Sequence, residues 1–91
     1  MSVDEHHMEN LYNCILKLKT PNECKAFFED LCTYKEVENM AQRITAAKLL
    51  LEGKTYEEVI KETDISSATL SRVSKCVKYG NGYRAILSEE N

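Results

Sequence analysis

The residues that could do chemistry are concentrated between Ser66 and Lys75, where SSATLSRVSK sets small hydroxyl side chains ahead of cations. Read as a helix, the stretch turns Leu70, Val73 and then Val77 inward at the spacing of a buried face. Ser67, Ala68, Thr69, Ser71, Arg72 and Lys75 are left facing outward, with Ser66 as the helix cap. Small hydrogen-bonding residues followed by positive charge make the surface that a recognition helix brings to a DNA major groove. Enzyme chemistry finds no support here. There is no nucleophile–base constellation and no phosphate-cradling glycine loop, and the only histidines, His6 and His7, stand in a polar N-terminal stretch. Of the adjacent Glu57 and Glu58, one reads as a capping residue and the other as its solvated neighbour. The bland alternative for the whole stretch is a pair of packed surface helices with no ligand.

The elements that must position this face lie just before it. Thr55 and Glu58 form a T-x-x-E capping box that opens a short helix over Tyr56 to about Thr63, with Val59, Ile60 and Thr63 inward. Asp64 stands where the turn needs a residue tolerant of positive φ, a place that Gly, Asn and Asp take most easily. Ile65 then fills the angle between the two helices. A cap, a short helix, a tight turn and a second capped helix read as a helix–turn–helix.

Upstream, Leu11, Tyr12, Ile15, Leu16 and Leu18 recur at helical spacing from about Glu9 to Lys19. Apolar groups cover much of this helix's circumference, more than one packing partner inside a 91-residue chain can cover, which points to a homodimer. Thr20-Pro21-Asn22-Glu23 predicts a helix start, with the helix running to about Cys32 and burying Cys24, Phe27, Phe28 and Leu31. Thr33 to Glu36 repeats the capping signal and opens the longest helix, Tyr34 to Glu52. Along it Val37, Met40, Ala41, Ile44, Ala47 and Leu51 form an apolar line, and Gly53 ends it. After Tyr79-Gly80-Asn81-Gly82, a last short helix is expected from Tyr83 to about Ser88. No segment alternates as a strand would, so the fold class is all-α with about six helices. Residues 1–8 are expected to form a flexible tail and residues 9–91 a single domain.

Net charge is −3, which at first argues against nucleic acid. Its distribution reverses that reading. Residues 1–39 carry four Lys and eight acids, whereas Ile65 to Ser88 carries Arg72, Lys75, Lys78 and Arg84 and no acid. A local basic face draws phosphates, and total charge is a poor proxy for it. The four cysteines, 14, 24, 32 and 76, form no C-x-x-C pair and match no common zinc or disulfide framework, so they read as free thiols and no metal site is expected. With no long apolar run and no basic, apolar N-terminus, the expectation is a cytoplasmic protein without a membrane partner.

The segment MAQRITAAKLLLEGKTYEEVIKETDISSATLSRVSK, Met40 to Lys75, resembles the Trp repressor superfamily, and most of all its YerC/YecD-type branch in Gram-positive bacteria. Weaker similarity extends over Met8–Asn39 and Tyr79–Glu89. The resemblance implies an intertwined homodimer whose two recognition helices meet successive major grooves of a palindromic site on double-stranded DNA. It places Ser67, Ala68 and Ser71 at base-edge positions and Thr69 and Arg72 nearer a ligand-facing side. It makes Lys54, Thr55 and Lys75 phosphate contacts. Arg43 and Arg72 match the two arginines that hold tryptophan in the Trp repressor, so Arg43, Arg72, Val73 and Cys76 outline a candidate effector pocket. The repressor has glycine where this chain has Val73, and an isopropyl group there would overfill the indole space at a cost of about 1–3 kcal/mol. Tryptophan dependence is therefore not expected, and Arg43 and Arg72 are read first as ion-pairing or phosphate-binding residues. No cofactor is expected, and a small-molecule corepressor is left unidentified. The function that follows is a dimeric, sequence-specific DNA-binding repressor. Its alternative is a helical dimeric module that binds a protein partner.

Overall fold

In the computed structural model, which describes residues 3–88, six helices and no strand make up the described chain. They are α1 (Val3–Ile15), α2 (Pro21–Leu31), α3 (Tyr34–Leu51), α4 (Tyr56–Thr63), α5 (Ser67–Tyr79) and α6 (Gly82–Leu87). The chain divides into two compact units, Met1–Tyr34 and Lys35–Asn91.

In the first unit, α1 begins at Val3 rather than at Glu9, and it ends at Ile15 rather than at Lys19. The early residues, VDEHH, carry no apolar period, yet Asp4 and Glu5 place carboxylates in the first turn, where the helix dipole favours them. Met1 and Ser2 of the expected tail lie outside the described residues. The capping box of α2 closes fully. The Thr20 hydroxyl accepts from the Glu23 amide at 3.1 Å, and the Glu23 carboxylate accepts from the Thr20 amide at 3.2 Å. Pro21 occupies the first turn, where its missing N–H costs nothing. Phe27 and Phe28 meet edge to face, with ring centroids 5.7 Å apart. No described residue of α1 or α2 is buried. The expected inward face of α2 is only half covered: Cys24, Phe27 and Phe28 are half-buried and Leu31 is exposed.

The second unit holds the core. Ala46 and Ala47 of α3, Val59 of α4, Ile65 of the turn, and Leu70, Val73 and Val77 of α5 form one buried cluster. Leu49, Leu50, Leu51, Ile60, Tyr83 and Leu87 pack around it. Fully burying Leu70 and Val59 stabilises the unit by about 1.5–3 kcal/mol each. The apolar line expected along α3 is buried only at Ala47, and Ile44 is 50% exposed. Ala46, which lies off that line, is buried in its place. The two alanine methyls let neighbouring backbones approach closely. Of the larger side chains on the line, Val37 and Met40 are half-buried and Ile44 is left exposed.

Two backbone devices fix the turns. Gly53, at φ 90°, ends α3 in a Schellman motif: Lys54 N–H donates to Leu49 C=O at 3.1 Å and Gly53 N–H to Leu50 C=O at 3.0 Å. Asp64 takes the left-handed conformation at φ 59° and ψ 22°, the role its short polar side chain predicts. No helix among the described residues is long and apolar enough to cross a membrane.

Candidate nucleic-acid interface

Alternation between core and surface along α5 creates the candidate interface. Leu70, Val73 and Val77 are all under 10% exposed, and Ser74, a small residue, is buried beside them. Ser67, Ala68, Ser71, Arg72 and Lys75 are exposed together on the remaining circumference. Thr69 is half-buried. Ser66 caps α5, its hydroxyl accepting from the Thr69 amide at 3.2 Å and donating to the Thr69 hydroxyl at 3.0 Å. The hydroxyls of Ser66 and Thr69 are thus engaged in starting the helix. No acid occupies the first turn of α5, so its N–H groups and dipole face outward without a local counter-charge.

The turn that leads into α5 is held by contacts centred on Thr63. The Gln42 side chain of α3 donates from Nε2 to the Thr63 carbonyl at 2.8 Å, satisfying one of the orphan carbonyls at the end of α4. The Thr63 hydroxyl donates to Val59 C=O at 2.7 Å and accepts from the Ile65 amide at 3.3 Å. Ile65, 2% exposed, anchors the turn in the core. At the other end of α4, the Thr55 hydroxyl accepts from the Glu58 amide at 3.2 Å, forming the threonine half of the expected box. Lys54 and Thr55 are exposed there. No sequence signal points to Gln42. Its partner lies 21 residues away, beyond the reach of any local pattern.

Beside α5, Arg43, Arg72, Val73 and Cys76 line one cavity of about 430 Å³, and Thr69 and Tyr83 complete its wall. The Val73 side chain serves both the core and this wall. Two guanidinium groups and no carboxylate line the space, so it suits an anion. The four cysteines are free thiols, with Cys14 and Cys76 exposed. Among the described residues no group of His, Cys, Asp and Glu could hold a metal ion.

A short capped helix, a left-handed turn residue and a second capped helix presenting hydroxyls and cations define a helix–turn–helix protein. The chain belongs to the Trp repressor family, whose model, described as Trp repressor protein, matches residues 6–91. It is 49% identical over 74 residues to the YerC protein of Bacillus subtilis (strain 168), covering 81% of this chain and 71% of that one. A Trp-repressor candidate from Staphylococcus aureus superposes with a TM-score of 0.88 at 36% identity, over 100% of this chain and 95% of that one. A TrpR-like protein from Eubacterium eligens ATCC 27750 gives 0.85 at 41% identity, over 89% and 84%. The family is one of regulatory DNA-binding proteins rather than enzymes.

Proposed function

We propose that this protein is a homodimeric, sequence-specific double-stranded-DNA-binding regulator that acts as a repressor on a palindromic operator without tryptophan. The observation that carries the reading is the exposed face of α5, with Ser67, Ala68 and Ser71 offered to base edges and Arg72 and Lys75 to phosphates. Lys54 and Thr55, at the start of α4, add contacts to the DNA backbone.

A second copy of the chain is supported by apolar surface that neither unit buries. Val3 is 69% exposed, Tyr12 55% and Leu16 79% in the first unit, and Ile44 is 50% exposed in the second. Exposed apolar surface of this kind marks an interaction face. Two recognition helices held one DNA turn apart, roughly 34 Å, then read two half-sites. Binding to a duplex pool by purified protein, abolished by joint Arg72→Ala and Lys75→Ala substitution, is the expected result. Retained binding by the double variant would overturn the assigned face.

The cavity beside Arg43 and Arg72 is read as a place for phosphate or ion pairing ahead of effector capture. The Val73 side chain stands in the wall of this cavity, where a glycine would leave more room.

A further inference from the structure

The second flank of α5 carries a feature that the helix–turn–helix does not use. Thr69, Arg72, Val73 and Cys76 recur along one line of the helix, and Ser67, Ser71, Ser74 and Lys78 along another. The first line borders the Arg43 cavity. The second ends at a separate cavity of about 370 Å³. Three cations line that cavity from three elements: Lys54 from the turn before α4, Lys78 from α5 and Arg84 from α6. Among the described residues no carboxylate lines it, and Tyr56 adds a phenolic hydroxyl. The Arg84 side chain is held in place, its Nε donating to the Val77 carbonyl at 2.8 Å across the break between α5 and α6.

We infer that this cavity seats a backbone phosphate of the duplex that α5 enters, so that α6 belongs to the DNA interface. The inference rests on the DNA-binding reading above and extends it. A helix lying in a major groove has a phosphate backbone on each side, and contacts to both fix its orientation. Arg43 and Arg72 stand on one flank of α5, and Lys54, Lys78 and Arg84 on the other. Lys78 lies roughly three turns beyond Ser67 on the same line, at the far end of the presented face. Phosphate is the anion that a duplex supplies beside a helix in its major groove, and Lys and Arg side chains are the groups that bind it. These contacts position the protein and carry no sequence choice.

The test measures binding of the full chain to a mixed-sequence duplex by fluorescence anisotropy across a salt series. The variants are Lys54→Gln, Lys78→Gln, Arg84→Gln and Arg84→Lys, with Lys25→Gln on α2 as control. Each Gln variant is expected to flatten the slope of log K against log salt by about 0.9 for every phosphate it no longer neutralises. Arg84→Lys should keep most of the slope, and Lys25→Gln all of it. Selected-sequence preference should stay unchanged throughout. Circular dichroism checks folding, and if Arg84→Gln loosens α6, Lys78→Gln carries the test. Steep wild-type salt dependence that neither Lys78→Gln nor Arg84→Gln alters would overturn the inference and leave the regulator reading, with its Lys54 contact, standing. Failure of the wild type to bind any duplex in low salt would overturn both.

Discussion

Gln42 and Thr63 are joined by a 2.8 Å hydrogen bond from the Gln42 side-chain amide to the Thr63 carbonyl. The bond spans from the long helix α3 to the last residue of α4, immediately before the turn that aims α5. It converts an unpaired helix-end carbonyl into a tether, and so links the core to the angle of the recognition helix.

Gln42→Leu keeps the side-chain bulk and removes the donor. Chemical denaturation should show a loss of about 1–3 kcal/mol, the cost of leaving a part-buried carbonyl unpaired. DNA affinity should fall as well, although Gln42 is not among the residues proposed to face DNA. Unchanged stability would mean that water replaces the tether.

Asp64 occupies left-handed backbone at φ 59°. Asp64→Gly should leave the melting temperature unchanged or raise it, whereas Asp64→Val should cost about 1–2 kcal/mol because a β-branched side chain crowds this conformation. Equal melting temperatures for the two variants would contradict the assigned role.

These turn residues were legible in the sequence because their chemistry is local. A Thr or Ser cap bonds an amide three residues on, and Gly53 and Asp64 are chosen by φ alone. The fold class and the boundaries of α4 and α5 followed from them. The start of α1 did not, since VDEHH forms a helix without an apolar stripe. The burial of α3 did not either. Periodicity marks Val37, Met40 and Ile44 as an apolar face but cannot say what covers it, while Ala46 looks too small to count as core. In the candidate site, the exposed face from Ser67 to Lys75 was readable. Gln42 and Tyr83 act across long sequence separations or beyond the Gly80–Gly82 break, and no spacing rule points to them, whereas Arg84 was legible as charge, one of four cations in an acid-free stretch.

Light scattering should report a dimer at micromolar concentration, twice the 10.4 kDa of one chain. Leu16→Glu and Ile44→Glu, each placing a charge on an exposed apolar site, should shift the population towards monomer. A monomeric wild type would remove the two-fold arrangement and with it the palindromic operator.

Tryptophan should neither bind in a calorimetric titration nor strengthen DNA binding. Val73→Gly should open space beside Arg43 and Arg72 and gain affinity for indole compounds. It should also lower stability by about 2–4 kcal/mol, because the side chain is 2% exposed and belongs to the core. Micromolar tryptophan binding by the wild type would contradict the role given to Val73.

The central claim is that the exposed face of α5 chooses a DNA sequence. Selection of duplexes from a fragmented genomic pool tests it most directly, using purified wild type beside the Arg72→Ala/Lys75→Ala variant. The expected result is enrichment of a two-fold-symmetric motif by the wild type alone. No enrichment in low salt, with metabolite extract present, would contradict the claim and shift the assignment to a helical module that binds another protein.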